Sequence, residues 1–354
     1  MRIVLAKRES RSTTISALVP IISFLVSLIL GGIVLAFSKA NPLNTYVYMF
    51  RGAFGNWMAF SETLVKAIPL MLTGLGVSLA FRIRFWNIGA EGQYVWGAIG
   101  TAWIMLYWQF LPVQILLPLG LLVGMTAGAI WAGIPAVMKA VWKVDETLTT
   151  LMLNYVAILF AEYLYYGPWR DPKGYGFPGS EPFPREAWLP RFLGRAHWGL
   201  FIAIIIVIIL FFVLARTKWG LEIQMIGKNP NAARCLGVNI KWGIIIVLLL
   251  SGALSGLAGG IEVAAIAHRL QKGIISGYGY TAIIIAWMSQ LNLIAALFVA
   301  ILMAGLLVGG DQLQMRIGLP AAMGLVIQGL LLFPLLAGTI FTEYKIRIKK
   351  TKEV

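Results

Sequence analysis

Long apolar runs, each closed by a basic or polar interruption, constrain this chain more than any other feature. Residues 15–37 hold no charged side chain. A helix of that length, at about 1.5 Å rise per residue, spans the ~30 Å hydrocarbon layer of a bilayer. Similar runs recur as far as residue 341. With 59% hydrophobic and 12% charged residues over 354 positions, too little polar surface remains for a soluble domain. The expectation is an all-α, polytopic membrane helix bundle. The formal net charge is +15, but lysine and arginine gather at the ends of runs, as the positive-inside rule requires. No basic patch interleaved with aromatics stands apart from those ends, so membrane lipid is an expected partner and nucleic acid is not.

Charge placement orders the runs. Arg2, Lys7, Arg8 and Arg11 mark residues 1–14 as a cytoplasmic tail. The run 15–37 is too long for a cleaved signal core and reads as a retained anchor. Residues 41–61 are mixed and expected outside. The run 62–81 returns inward, softened by Pro69, Gly74 and Gly76, to an inner turn at Arg82 and Arg84. Runs 88–108 and 113–134 follow, then Lys139 and Lys143 inside, then 147–166. Pro168, Pro172, Pro178, Pro182, Pro184 and Pro190 forbid a regular helix over 167–198, making it an outer loop able to meet an external partner. Run 199–215 comes back to a basic segment, 216–241, and 242–265 leaves again. A short outer link, 266–278, precedes the region 279–310. The C-terminal tail, 342–354, carries Lys345, Arg347, Lys349, Lys350 and Lys352, so it is expected inside. One helix over 279–310 would put it outside. A break near Ser289, Gln290 and Asn292 resolves this, giving a short helix of about eleven residues and then 293–310. The last run is 319–341. The total is about ten segments in one permease domain, 15–341, with both termini cytoplasmic.

Few residues are candidates for chemistry. No phosphate-binding loop, nucleophile elbow, HExxH or CxxC occurs. The single cysteine, Cys235, and two distant histidines, His197 and His268, give no metal-ligand pattern. The chain therefore needs an ion gradient or a motor supplied by another protein. Gly120, Gly124 and Gly128, and later Gly252, Gly256 and Gly260, recur every four residues, a spacing that lets helix backbones approach closely in lipid. Asp145 or Thr147 suits the cap of a helix that Glu146 then opens. Asn87, Glu91 and Gln93 open a membrane segment, with Asn87 and Glu91 expected on one helical face. They could line a path for a polar solute, or Glu91 could satisfy nearby backbone groups or pair with Arg82 or Arg84. Thr150 and Asn154 could face the same path or bond between helices. Glu262 could meet an external partner or Arg269.

The segment 216–242 carries Arg216, Lys218, Lys228, Arg234 and Lys241 against one acid, Glu222. Within it, Asn229 is placed to cap a short helix near 231–236, with Pro230 at the first position. Gly227 and Gly237 bracket that helix. Ala232 and Ala233 are expected to form one flat face, and Lys228 and Arg234 to meet acids on a partner. An ordinary positive-inside loop is the plainer account.

Three stretches, NIGAEGQ at 87–93, ETLTTLMLNYVA at 146–157 and GKNPNAARCLGVNIKWGIIIVLLLSGALSGLAGGIEVA at 227–264, resemble the membrane permeases of ABC importers of the ribose, simple-sugar and nucleoside class. The first is closest to the nucleoside-type branch. The sequence at 287–292, WMSQLN, departs from the leucine-, glycine- and arginine-containing turn that many such permeases carry. The resemblance implies a translocation path for nucleosides or simple sugars, a second permease chain (a related paralogue or a copy), and an external substrate-binding lipoprotein. It also implies separate ATPase subunits that hold ATP and magnesium, with no cofactor on this chain and no bond chemistry of its own. Gly227, Lys228, Asn229, Ala232, Ala233, Arg234 and Gly237 would then be the coupling surface for the ATPase, in the plasma (inner) membrane. The rival expectation is a proton-coupled secondary carrier using Glu91, Glu146 and Glu262.

Overall fold

Short polar side chains at the ends of the apolar runs set where the helices begin. In the computed structural model, which describes residues 2–7, 13–320 and 322–349, the chain runs β1 (Arg2–Lys7), α1 (Thr13–Phe37), α2 (Pro42–Phe54), α3 (Trp57–Arg82), α4 (Ala90–Tyr107), α5 (Val113–Trp142), α6 (Glu146–Tyr166), β2 (Arg191–Leu193), β3 (Ala196–His197), α7 (Gly199–Arg216), α8 (Lys218–Lys228), α9 (Pro230–Cys235), α10 (Ile240–Glu262), α11 (Tyr278–Met288), α12 (Leu293–Ile317), α13 (Met323–Glu343) and β4 (Tyr344–Lys349). Asn41, Asn56, Asp145, Thr217, Asn229 and Asn239 each accept a backbone N–H from the first turn of the helix they precede. Seven described helices are long and apolar enough to cross a membrane, α1, α3, α5, α6, α7, α10 and α12, and a shorter apolar stretch, Met323–Gly338, lies in α13. The chain is therefore a largely helical, multi-pass membrane protein.

The expected break falls where the charges required it. α11 is 11 residues long and ends at Met288, Gln290 and Leu291 adopt positive φ, and α12 begins at Leu293 under Asn292, whose side chain accepts from Ile294 N and Ala295 N. Residues 41–61, whose mixed character left their structure open, are mostly helical, as α2 and the first turn of α3, because Asn41 followed by Pro42 starts a helix. Pro69 does not break α3 either. Thr73 Oγ1 donates to the Pro69 carbonyl at 2.7 Å, and the helix continues to Arg82.

The chain divides into two units. The first holds residues 1–55 and 305–354. Here α1 packs along α13, Ser23 Oγ donates to Pro334 O at 3.1 Å, and Tyr46 OH donates to Leu28 O at 2.6 Å. The two ends of the chain form an antiparallel ribbon, β1 on β4, from Arg2 opposite Lys349 to Lys7 opposite Tyr344.

The second unit, residues 56–304, is built on α3 and α10, whose apolar windows are 89% and 72% buried, against 28% for α5, α6 and α7. The outer helix α7 presents apolar side chains outward, as lipid demands. Glycine lets α4, α5 and α10 meet at backbone distance. A methyl on Gly97 would run into the carbonyl of Gly256, and one on Gly128 into that of Gly252. A methyl on Gly256 would lie 2.5 Å from Gly124 O. The repeats of glycine every four residues are packing surfaces, and they interlock with each other.

Residues 167–198 hold no α-helix and carry the short β2–β3 hairpin. They are zipped to the chain that follows α10. Ser180 N donates to Leu270 O at 2.9 Å, Phe183 N to His268 O at 2.8 Å, and Leu189 N to Ala264 O at 3.1 Å. Arg195 pairs with Glu62 at 2.9 Å. His268 stacks on Trp188 with ring centroids 3.5 Å apart. Burial, and then the charge of Arg191, push both His197 and His268 down to about 4. Both rings are thus uncharged at neutral pH, in a loop that already carries Arg185, Arg191, Arg195 and Arg269.

Candidate functional site

Two places in the second unit hold polar groups that packing alone does not require. The first is a buried knot at the start of α4. The backbone between α3 and α4 leaves the helical path at Arg84, with φ of 59°, and does not resume it until Ala90. Asn87 therefore lies in this turn and not on α4, so it shares no helical face with Glu91; the helix begins three residues too late. Its side chain folds back instead. Asn87 Oδ1 accepts from Gly89 N at 3.1 Å and from Gln93 Nε2 at 3.0 Å, while Nδ2 donates to Gln93 Oε1 at 3.2 Å and to Ser251 Oγ on α10 at 3.0 Å.

Asn154 closes the knot from α6. Its Oδ1 accepts from Gly92 N at 2.9 Å, and its Nδ2 donates to Ile88 O at 2.9 Å and to Tyr280 OH at 3.3 Å. Thr150 Oγ1 donates to Glu146 O at 2.7 Å and reaches toward Trp86 O at 3.5 Å. Asn154 stands eight residues beyond Glu146, about 12 Å along the helix, and α6 has 21 residues. The start of α4 thus meets the middle of α6. Non-helical backbone at such depth requires polar partners from neighbouring segments, and Asn87, Gln93 and Asn154 supply them.

Glu91 has a separate task. It is fully buried, and its two carboxyl oxygens accept from Gly277 N at 2.9 Å and Gly279 N at 2.7 Å. It pairs with neither Arg82 nor Arg84. It serves backbone groups, at the N-terminus of α11 and not at Gly89 or Gly92. The fit is close: a methyl on Gly279 would strike the backbone of Glu91, and Gly277 has φ of +75°. The structure thus gathers Asn87, Gln93, Thr150 and Asn154 around one turn and sends Glu91 to α11. Gly277, Gly279, Ser251 and Tyr280 complete the arrangement and were not foreseen. Gly-Tyr-Gly-Tyr at 277–280 was the available signal, since alternate glycines admit a close backbone neighbour. Glu262 closes α10 and is partly buried. Glu146 forms an ion pair with Lys139, and Asp145 caps α6 through Leu148 N at 2.9 Å.

The second place is the polar segment between α7 and α10. α9 has six residues. Asn229 caps it, accepting from Asn231 N and Ala232 N at 3.1 Å each, and Pro230 opens it. Gly227 is confined by the carbonyl of Arg82, where no side chain fits. Gly237 takes φ of +81° in open space, which turns the chain out of the helix. Lys228, Ala232 and Arg234 are exposed. Ala233 is not: it is fully buried in a cluster with Ile223, Ile226 and Val247. Successive helical residues point about 100° apart, so Ala232 and Ala233 cannot share a face. Ala233 anchors the helix and Ala232 is presented. Leu236, 71% exposed, extends the outward surface and was missed because a leucine beside a helix end reads as an anchor.

A bundle of apolar helices around a polar knot, with a short exposed helix carrying Arg234 between two spans, defines a multi-pass membrane protein. Residues 59–336 match the family described as branched-chain amino acid transport system / permease component, and the chain belongs to that family. It is 35% identical to the glucose ABC transporter permease protein TsgB13 of Haloferax volcanii, covering 93% of this chain and 89% of that one. It is 29% identical to the guanosine ABC transporter permease protein NupP of Bacillus subtilis, covering 89% and 92%. It is also 31% identical to a second protein of that organism, the guanosine ABC transporter permease protein NupQ, covering 62% and 72%. The resemblance carried by 87–93, 146–157 and 227–264 is borne out: the chain is an ABC transporter permease of the nucleoside and simple-sugar type.

Proposed function

We propose that this chain forms half of the translocation path of an ATP-driven importer in the plasma (inner) membrane, moving nucleosides, with simple sugars the second choice. The second half is another permease, more naturally a related paralogue than a copy, since NupP and NupQ are two such relatives from one organism. ATP and magnesium are held by separate ATPase subunits, and a substrate-binding lipoprotein delivers solute to the outer loop. Ten membrane segments fit this reading: the seven long apolar helices, together with α4, α11 and α13. The pairing of β1 with β4 supports an even number of crossings, and the basic residues of both tails favour the cytoplasmic side.

The observation that carries the reading is α9. It is capped at Asn229, buried at Ala233 and open at Ala232, Arg234 and Leu236. Such a helix is rigid on its own side and accessible on the other, which suits the transfer of force from a partner. A proton carrier is less well served, because both oxygens of Glu91 are engaged by backbone N–H groups. In the complete transporter, reconstituted with its ATPase and receptor, Ala232→Trp is expected to lower receptor-stimulated ATP turnover at least tenfold while the permease still inserts. Unaltered turnover would remove α9 as the coupling element.

A further inference from the structure

The exposed face of α6 differs from a lipid-facing surface. On α7 the outward residues include Ile205, Ile208, Ile209 and Phe212, all apolar. On α6 they include Met152, Tyr155, Leu159 and Tyr163. Tyrosine at the end of a span is an ordinary interface anchor, but Tyr155 is the tenth of the 21 residues of α6 and is 55% exposed. A phenol turned into hydrocarbon at that depth would lose its hydrogen bonds with nothing in return. Tyr280, 37% exposed, is tied to the same turn of α6, its OH accepting from Asn154 Nδ2, one residue before Tyr155, at 3.3 Å.

The polar knot explains why these two rings are held there. Asn87, Glu91, Gln93, Thr150 and Asn154 are all buried and bonded within the protein, so they offer a passing solute little. They fix the start of α4, the middle of α6 and the start of α11 against one another, and Tyr155 and Tyr280 are the polar side chains that this junction turns outward. The start of α11 is itself a helix beginning at membrane depth, a construction tolerated where it is buried or lines a water-filled cavity.

We infer that Tyr155 and Tyr280 form the wall of the solute path at mid-membrane and select for a nucleoside, the rings stacking on its planar base and the hydroxyls bonding to its polar edge. The inference rests on the importer reading and names the residues that would give it substrate preference. Stacking on aromatic side chains suits any planar base, which accounts for a nucleoside being preferred over a hexose.

Because Cys235 is the only native cysteine, the test can use single cysteines in a Cys235→Ser background, in membranes holding the whole transporter. Tyr155→Cys and Tyr280→Cys should react with a cationic methanethiosulfonate at least tenfold faster than Ile208→Cys, and guanosine should slow them at least threefold while glucose slows them less. Rates equal to that of Ile208→Cys would mean that lipid or the second permease covers this face, and would overturn the inference. Fast reaction unaffected by guanosine, or slowed more by glucose, would overturn the nucleoside preference. Guanosine uptake by the unsubstituted transporter, measured in parallel, separates the two claims. Intact uptake with slow labelling sinks this path alone. Absent uptake with fast labelling sinks the proposed substrate, and the selectivity with it.

Discussion

Glu91 is worth more to the fold than its place in a motif suggests. Its two oxygens satisfy the N–H groups of Gly277, partly buried, and Gly279, buried, at the start of a helix that arrives 186 and 188 residues later. Leaving a buried donor unpaired costs about 1–3 kcal/mol. Glu91→Ala incurs that cost in full at Gly279 and in part at Gly277, while Glu91→Gln keeps one carbonyl acceptor. Thermal unfolding of the detergent-purified chain should therefore show a clear loss for Glu91→Ala and about half that loss for Glu91→Gln. An unchanged midpoint for Glu91→Ala would mean that Gly277 and Gly279 find other acceptors. At this scale the sequence told which residues mattered better than what they do. Asn87, Glu91, Gln93, Thr150 and Asn154 are all buried, as polar residues set among apolar runs suggested. Ser251 for Asn87, Gly92 and Ile88 for Asn154, and Gly277 and Gly279 for Glu91 were hidden because they are long-range, and the nearer bonds of Asn87 because the helix register assumed for 87–91 was wrong: the turn at Arg84 delays α4 to Ala90.

Helix contacts in the second unit depend on missing side chains more than on present ones. Gly97 faces the backbone of Gly256, and Gly256 faces that of Gly124, so α4, α10 and α5 share one seam. Gly97→Ala and Gly256→Ala should each destabilise by about 1–3 kcal/mol, as overpacking does. Together they should cost less than the sum, because the first methyl already parts the helices that the second would push on. Gly329, with nothing within 4 Å of an added methyl, is the control: Gly329→Ala should not destabilise. Unfolding midpoints of the four variants decide this, and strictly additive losses would mean that the seam is not shared. These stripes were readable, since spacing by four in an apolar run has few other uses. The break before α12 was readable through charge, not through propensity. α2 was not, because its mixed residues masked the cap and proline at Asn41 and Pro42.

The ends of the chain bear on its topology. Residues 344–349, YKIRIK, alternate in character and residues 2–7, RIVLAK, do not, so only pairing reveals both as strands. A sequence reading treats such tails as solvated, since nothing local links positions more than 300 residues apart. Their antiparallel register favours the proposed even number of crossings, since a chain that starts and finishes on one face crosses the membrane an even number of times. That argument is independent of the positive-inside rule, which assigns the same face to Lys139, Lys143 and the segment 216–241. The two lines meet at Cys235, the single cysteine, exposed on α9. In right-side-out vesicles an impermeant maleimide should leave Cys235 unmodified, and protease should leave epitope tags at both termini intact. Permeabilisation should expose all three together. A tag cleaved from outside while Cys235 stays protected would make the number of crossings odd. The region 278–317 would then need to be one span, against the turn at Gln290 and Leu291 that divides it.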